Sequence, residues 1–288
     1  MSTKPNPLVS IVVPSYNQGQ FIGDTINSIL RQDYLRTEVI VMDGGSTDNT
    51  MDVLKQFGDR VIVFSGPDLG QTDAINKGFQ KAEGDIVAWL NSDDIYLYDD
   101  VVSHIVAEFE GHPNVDVLFG DYVRIDENNN FLKAYHVWRY YDFDRLMRVC
   151  YISQPTVFFR RPAIRNSALD TSLHYGMDID LWLQLGKAGC CFRHVGRFLA
   201  AERIHNRAKT VTSPAGSYEE GVAIRRKYVA QSEQKRILEI TLADKAGFVC
   251  YRLRAIGAVI LFWSKRNTLI PLTYPGILQL LIRQFIRA

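Results

Sequence analysis

The chain has 288 residues, of which 47% are hydrophobic and 23% are charged, a composition typical of a folded globular protein and not of a disordered one. Its 33 basic and 32 acidic residues leave a formal net charge of +1, so no overall field favours nucleic acid as a partner. The four cysteines lack metal-ligand spacing, which predicts reduced thiols and a cytoplasmic protein. No stretch predicts a signal peptide or a membrane-spanning helix.

The first half of the chain alternates short β-branched runs with amphipathic helical patterns. Strands are predicted, in order, over LVSIVVPS, EVIVMD, RVIVFSG and DIVAWL. Helical patterns separate them, one of them over TDAINKGFQKA. Strands joined by single helices predict a doubly wound, mostly parallel α/β sheet, in which ligands bind at the carboxyl ends of the strands. Polar clusters follow three of these strands, at 14–17, 43–48 and 91–94.

The second half is more mixed. A hairpin is predicted around the turn at 127–130, then a strand over TVFFRRPAI and a helix over MDIDLWLQLGKAG. CFRHVGRFLAAERIH predicts a strand pair or a long edge strand. Ser217 and Glu220 have the spacing of a capping box at the start of a helical region. We therefore expect a boundary near 213, between a domain over 1–213 and a helical C-terminal segment over 214–288.

Two adjacent carboxylates, Asp93 and Asp94, follow the buried strand that ends in WLNSDD. Neighbouring carboxylates repel, so a protein either leaves them solvated or supplies a cation. Hard oxygen ligands at a strand end suit Mg²⁺ or Mn²⁺. A solvated surface loop is the alternative interpretation.

Five motifs occur in a fixed order along the chain: VSIVVPSYNQGQFI, VIVMDGGSTDNT, GQTDAINKGF, IVAWLNSDDIY and YGMDIDLWLQL. Together they resemble the family 2 glycosyltransferases with the GT-A fold, over roughly residues 8–210. The resemblance implies that 1–213 is a catalytic domain of a hexosyltransferase type. The implied reaction is an inverting, metal-dependent transfer from a nucleotide sugar, with a UDP-sugar as the expected donor and a polysaccharide or glycolipid as the expected acceptor.

The resemblance also implies which polar residues bind the nucleotide. Asp43 is assigned to the base, and a carboxylate suits the N–H edge of a uracil ring. A turn or helix-capping role is the alternative for Asp43, and a capping role is the alternative for Asp73. The nucleotide-binding positions implied are Pro14, Tyr16, Asn17, Asp43, Gly44, Asp73, Asn76 and Ser92.

For the metal, the resemblance implies Asp93, Asp94 and His205 as ligands of Mn²⁺ or Mg²⁺. A divalent cation would lower the barrier to release of the charged nucleoside diphosphate. The family's acidic motif usually reads Asp-x-Asp-Asp, and here Asn91 takes its first place. A structural role is the alternative for His205.

For catalysis, the resemblance assigns Asp178 as the base that removes the proton of the acceptor hydroxyl. The family has a Glu-Asp pair at this point, and Met177 replaces the Glu here. A carboxylate at a helix start is stabilised as an anion, so burial is needed to keep it basic. An N-cap is the alternative for Asp178. The positions implied for the acceptor or the donor sugar are Gln154, Met177, Trp182 and Lys209.

The C-terminal region is one-sidedly basic, since no Asp or Glu follows Asp244 while Lys and Arg continue to the end. Basic and apolar helices suit an anionic membrane surface, so 245–288 predicts peripheral contact with the inner face of the membrane. A helical cap on the core or an oligomer contact is the alternative.

Two other functions remain open at the level of sequence. A nucleotidyltransferase would have a similar sheet, but it needs a basic phosphate loop after the first strand, and PSYNQGQ contains no Lys or Arg. A non-catalytic nucleotide-sugar-binding protein with the GT-A fold would account for Asn91 and Met177. A dinucleotide oxidoreductase is disfavoured because GxGxxG is absent.

Overall fold

The computed structural model describes residues 6–165, 167–209 and 214–228. Contacts divide the chain into a compact unit over Met1–Gln231 and a second over Ser232–Ala288. The domain boundary expected near 213 stays a prediction. The second unit, and with it the predicted membrane segment 245–288, lies outside the described residues. No helix in the described part of the chain is long and apolar enough to cross a membrane.

A mixed sheet of nine strands forms the centre of the first unit. Its strands, in chain order, are β1 (Val9–Ser15), β2 (Thr37–Asp43), β3 (Ile62–Ser65), β4 (Ile86–Trp89), β5 (Ile95–Tyr96), β6 (Val117–Ile125), β7 (Phe131–Tyr135), β8 (Phe158–Arg160) and β9 (Phe192–Arg203).

Helices of varied length connect these strands. The α-helices with described bounds are α1 (Ile22–Leu30), α2 (Thr50–Lys55), α3 (Gln71–Lys81), α4 (Val101–Gly111), α5 (Phe143–Leu146), α6 (Arg161–Ile164), α7 (Met177–Lys187) and α8 (Pro214–Tyr228). Gly58–Arg60 and Gln154–Thr156 form short 3₁₀ turns.

The four strands predicted from the first half pair in parallel, which confirms the doubly wound pattern. The order is β3-β2-β1-β4-β8-β6-β9-β5, with β7 on β6, and β1 pairs with β2 and β4 while β2 pairs with β3. Val9, Ile11 and Val13 of β1 belong to the core formed with α1, α2 and α4. Val12 faces α3 instead, where a Cβ on Gly78 would lie 2.3 Å from its Cγ1. Helices thus cover both faces of the sheet.

The second half adds an antiparallel insertion and one long parallel strand. The predicted hairpin is present as β6 and β7, and β8 lies antiparallel between β4 and β6. β9 runs parallel to β6 for most of its 12 residues. The alternatives of a strand pair and an edge strand for this stretch were wrong. β9 is a single interior strand because Ile95 and Tyr96 pair with its far side.

The predicted capping box in the last described helix was also wrong. α8 begins at Pro214, so Ser217 lies within the helix and not at its cap. The Glu220 carboxylate accepts hydrogen bonds from backbone N–H groups of a different segment, residues 174–176. The Glu220 carboxylate therefore binds a segment distant in sequence and does not cap its own helix.

Candidate active site

The loops that follow β1 and β2 are joined by hydrogen bonds at the carboxyl end of the sheet. The Asn17 N–H donates to Ser46 Oγ at 2.7 Å, and Asn17 Oδ1 accepts from the Thr47 N–H at 2.8 Å. Asn17 has a φ of +53°, a left-handed conformation that Asn tolerates better than most residues. Pro14 is buried in β1, and Tyr16 is 61% exposed. The structure therefore brings the first two predicted nucleotide loops together.

Asp43 lies at the end of β2, and neighbouring protein groups donate hydrogen bonds to its carboxylate. Only 3% of the residue is exposed. Oδ2 accepts from the N–H groups of Gly45 and Ser46 and from Ser65 Oγ, and Oδ1 accepts from Ser46 Oγ at 2.5 Å. These bonds fix the turn that presents Gly44. The role of Asp43 as a ligand of the base stays a prediction.

A second carboxylate, from Asp68, lies next to Gly44 in this turn. Asp68 was not predicted from the sequence. A Cβ on Gly44 would come within 2.7 Å of Asp68 Oδ2, so a larger residue there would displace the Asp68 carboxylate. Asp43, Ser65, Asp68 and Lys77 are among the residues that line a cavity of about 170 Å³. Asp68 could have been identified from the sequence, because it lies in the turn after β3, at the same edge of the sheet as the other polar loops.

Two of the three remaining predicted nucleotide-binding residues, Asp73 and Asn76, bond to neighbouring protein groups. Asp73 forms an ion pair with Lys77 at 2.7 Å, which lowers the pKa of its carboxyl, and it accepts from the Leu69 N–H. Asn76 bonds through both ends of its amide to the backbone of Leu169. Ser92 is buried. Roles for these three in nucleotide binding stay predictions, and Asp73 and Asn76 also have clear structural tasks.

Asp93, the first carboxylate after β4, lies beside His205. Asp93 Oδ2 is 3.0 Å from His205 Nε2, and the two side chains are 19% and 3% exposed. The other ring nitrogen, Nδ1, accepts from the Arg207 N–H at 3.3 Å. Nε2 therefore faces the carboxylate. Asp93 and His205 are therefore neighbours joined by a hydrogen bond, and their roles as metal ligands stay predictions.

Asp94, the second carboxylate, is buried and holds two distant parts of the chain together. Its Oδ1 accepts from the Arg203 N–H at 3.0 Å, and its Oδ2 accepts from Asn91 Nδ2 at 3.3 Å. Burial, together with the charges of Asp93 and Glu202, raises the pKa of Asp94 well above its ordinary value. Both oxygens have protein partners in the described structure, which favours a structural task.

Arg203, at the end of β9, is a further residue that the sequence analysis missed. Its side chain is fully buried and reaches Asp24 at 3.3 Å. Its Nε donates to the Asp93 carbonyl at 2.8 Å, and its Nη1 lies 3.4 Å from the carbonyl of Asp126. The guanidinium also lies over the Phe21 ring, 5.0 Å from the centroid. Arg203 thus supports the acidic turn through its hydrogen bond to the Asp93 carbonyl.

We expect Arg203→Met to destabilise the fold by about 2 kcal/mol, because buried carbonyl oxygens lose their donor. Urea denaturation monitored by circular dichroism measures this change. Arg197→Met is the matched control on the same strand, since Arg197 pairs with Asp100 at the surface and such pairs contribute about 0–1 kcal/mol. Equal losses in the two variants would contradict a supporting role for Arg203.

Asp178 lies at the start of α7, where it is half-buried. Burial raises the pKa of its carboxyl to about 6, and the charges of Glu202 and Glu220 act in the same direction. The N–H of Ile179, which donates to Oδ1 at 2.8 Å, opposes the rise. The burial that basicity requires is therefore present. Asp178 is a carboxylate above pH 6, with more affinity for a proton than an ordinary Asp.

The residues predicted for the sugars differ in accessibility. Trp182 is fully buried and stacks on Trp89 at 5.7 Å, and Met177 is also buried. Gln154 Nε2 donates to the Trp89 carbonyl at 2.7 Å, while its buried Oε1 has no partner in the described structure. Trp182 therefore has a core-packing task, and its contact with a sugar stays a prediction.

Lys209 lies beside the segment that leads to Asp178. Its Nζ is 3.4 Å from the carbonyl of His174, close to the start of α7. Burial lowers the pKa of Lys209, and the charges of Glu220, Asp93 and Asp68 oppose this effect. The ammonium group therefore lies beside the segment that leads to Asp178, and the charge of Asp93 acts on it. Among the described residues, no group of three or more His, Cys, Asp or Glu side chains is arranged to hold a metal ion.

Comparison with known proteins identifies the family. A family model described as glycosyl transferase family 2 matches residues 10–173, more than half of the 288 residues. An uncharacterized glycosyltransferase of Rickettsia typhi is 28% identical over 232 residues, covering 76% of this chain and 70% of the relative. A PGL/p-HBAD biosynthesis glycosyltransferase of Mycobacterium bovis is 31% identical over 159 residues, covering 54% of this chain and 60% of the relative.

Solved structures share the fold. Staphylococcus aureus TarS 1–349 in complex with UDP-GlcNAc superimposes with a TM-score of 0.65 at 18% identity, covering 82% of this chain and 71% of that one. The mannosyltransferase PcManGT from Pyrobaculum calidifontis, in complex with GDP-Man and Mn²⁺, gives a TM-score of 0.58 at 17% identity, covering 90% and 81%. The chain therefore belongs to glycosyl transferase family 2 and is a glycosyltransferase with the GT-A fold.

Proposed function

We propose that this glycosyltransferase is inverting and metal-dependent, with a UDP-sugar as donor and a saccharide or lipid-linked saccharide as acceptor. One observation carries the proposal: Asp93 Oδ2, in the turn after β4, lies 3.0 Å from His205, and the Lys209 ammonium, four residues after that histidine, lies 3.4 Å from the carbonyl of His174, in the segment before Asp178. Metal ligands, a cation for the diphosphate and a base are the parts that such a transfer requires.

The side chains beside the acidic turn fit Mn²⁺ or Mg²⁺. Asp93 offers a carboxylate oxygen, and His205 Nε2, which donates a hydrogen bond to it at 3.0 Å, would become a ligand if its proton moved to Nδ1. Two protein donors are sufficient for a cation that takes its other ligands from a diphosphate and water. A bound divalent cation would stabilise the charge on the departing nucleoside diphosphate. PcManGT contains Mn²⁺ together with its nucleotide sugar, which supports the proposal.

The protein's own groups perform the remaining tasks. The exposed Lys209 side chain would offer a positive charge to the diphosphate. Asp178 accepts the proton of the acceptor hydroxyl as its oxygen attacks the anomeric carbon from the face opposite the diphosphate. One base and one attack invert the anomeric configuration.

Two relatives support the choice of donor and acceptor. TarS has been solved with UDP-GlcNAc, which supports a UDP-sugar. The mycobacterial relative is named for PGL/p-HBAD biosynthesis, which supports a glycolipid or related acceptor. Contact of 245–288 with an anionic membrane would bring the enzyme to lipid-linked acceptors.

Donor hydrolysis tests the proposal without knowledge of the acceptor. We expect the full chain with Mn²⁺ to release UDP slowly from at least one of UDP-glucose, UDP-galactose and UDP-N-acetylglucosamine, and EDTA to stop the release. Proton NMR should show the β-anomer as the first product from these α-linked donors. Release that persists in EDTA would contradict metal dependence. Binding of UDP-sugars without turnover, even with saccharide acceptors present, would favour the non-catalytic binding protein.

A further inference from the structure

A carboxylate from the last described helix holds the segment that leads to the proposed base. Glu220 Oε1 accepts from the N–H of His174 at 2.6 Å. Its Oε2 accepts from the N–H groups of Tyr175 and Gly176 at 2.5 and 2.6 Å. Hydrogen bonds to an ionised acceptor are about twice as strong as neutral ones. One side chain therefore fixes three consecutive peptide groups directly before α7.

The position of these bonds decides where Asp178 points. The N–H groups at the start of a helix have no partners within the helix, and the chain that enters the helix is mobile unless something binds it. Asp178 is the second residue of α7, two positions after Gly176. A shift of the 174–176 segment therefore moves the Asp178 carboxylate directly.

Other contacts join α8 to α7 and to the segment that precedes it. A Cβ on Gly176 would lie 2.4 Å from Ile224 Cδ1, so the glycine lets α8 approach closely. The Tyr228 hydroxyl donates to Asp180 Oδ1 at 2.9 Å. Lys227 pairs with Asp170 at 2.5 Å. The contacts extend along α8, which lies beyond the region 10–173 that the family model matches.

The Glu220 charge also affects the group that it positions. Glu202 from β9 and Glu220 from α8 both favour the protonated form of Asp178 and help to raise its pKa. Cys150 is close enough for Asp178 to raise the pKa of the thiol, and Arg225 acts on the same thiol with the opposite sign. A neutral residue at 220 would lower the pKa of Asp178, and this shift would be visible in a pH profile.

We infer that Glu220 is a positioning residue for catalysis, which orients Asp178 through the 174–176 backbone. This inference rests on the proposed role of Asp178 as the base. It makes α8 part of the catalytic unit and not a separate appendage, because the base is held in place only when α8 is docked. Glu220 itself touches no reacting atom.

Glu220→Gln tests the inference in the full chain with Mn²⁺ and a UDP-sugar. The glutamine amide keeps one acceptor oxygen. Its NH₂ group cannot accept a hydrogen bond, so at least one of the three backbone N–H groups loses its acceptor. We expect kcat to fall about tenfold or more, with little change in the KM of the donor. The acidic limb of the profile of kcat against pH should move to lower pH. Glu219→Gln is the matched control, since Glu219 is the exposed neighbour on the same helix, and it should change neither quantity.

A second variant separates geometry from charge and guards against misfolding. Glu220→Asp keeps the charge but shortens the reach, so we expect a lower kcat with the acidic limb unmoved. Unchanged kcat and pH profile in Glu220→Gln, with only a lower melting temperature, would overturn the inference and leave the proposed function intact. Full activity of Asp178→Asn would instead remove the proposed base, and the inference with it.

Discussion

Asp178→Asn is expected to abolish sugar transfer while the enzyme still binds its donor. The amide keeps the shape of the side chain but cannot take a proton, and a positioned general base contributes about 10²–10⁴-fold to the rate. We expect kcat to fall by a factor in this range. UDP binding in the presence of Mn²⁺ should be unchanged, because Asp178 belongs to the acceptor side of the proposed site. Initial rates and isothermal titration calorimetry measure the two quantities.

The pKa of Asp178 supplies a control for folding. Its value of about 6 in the folded protein lies above the ordinary 3.8, so between these pH values the folded state binds more protons than the unfolded state. Stability contributed by this group therefore falls as pH rises from about 4 to about 6 and stays low above it. At pH 7 Asp178→Asn should be at least as stable as the wild type, so lost turnover cannot be attributed to unfolding.

The wild-type pH profile gives an independent check. With the base ionised above pH 6, kcat/KM should decline as pH falls through that value. Turnover of Asp178→Asn within a few-fold of the wild type would contradict the assignment. Loss of UDP binding in the same variant would show that the residue supports the nucleotide site instead.

The parallel half of the sheet was predictable because its strands are buried on both faces. Such strands are continuous apolar runs that end at polar loops, and a run of this kind is visible without any tertiary information. β1 is buried over its whole length, as its sequence VSIVVPS indicates. The same logic placed Asp43 at the end of β2 and Asp93 in the turn after β4, which is where we propose the site.

Roles that depend on partners distant in sequence were not predictable. Asp93 and Asp94 are chemically identical in the sequence, yet one is next to His205 and the other bonds to the Arg203 N–H. The direction of each side chain depends on the position of β9 relative to the acidic turn. The local sequence around Asp93 and Asp94 does not predict this position. Glu220 is a similar case, because its local motif indicated a cap on its own helix while its partners lie at 174–176.

The accessibility of aromatic residues was not visible in the sequence either. The sequence resemblance implied that Trp182 contacts the acceptor or the donor sugar. In the structure its ring belongs to a stack with Trp89 and Phe159 and is fully buried. Whether an amphipathic helix turns a given side chain toward the core or toward a cleft depends on the helix's rotation against the sheet, and the periodicity alone leaves this open.

The second large effect is expected from Asp93→Asn, which removes the charged oxygen ligand of the proposed cation. An amide oxygen is a weaker ligand for Mn²⁺ than a carboxylate. The loss of several kcal/mol of charge stabilisation corresponds to about 10²–10³-fold in rate. We expect kcat to fall by this amount and the Mn²⁺-dependent part of UDP binding to disappear. Calorimetric titration of UDP with Mn²⁺ and with EDTA measures the difference, and Mn²⁺ electron paramagnetic resonance counts the bound ion.

Asp94→Asn is the matched comparison, since it changes the adjacent residue in the same way. The Asp94 carboxyl already has a raised pKa and bonds to the Arg203 N–H, so an amide that keeps the latter bond should retain most Mn²⁺ affinity. A strong loss in Asp93→Asn beside a small one in Asp94→Asn assigns the cation to the side of the turn that faces His205. Equal losses would restore both carboxylates as ligands, as the sequence resemblance implied. Full metal-dependent binding in Asp93→Asn would exclude Asp93 as a ligand and, with it, the proposed coordination.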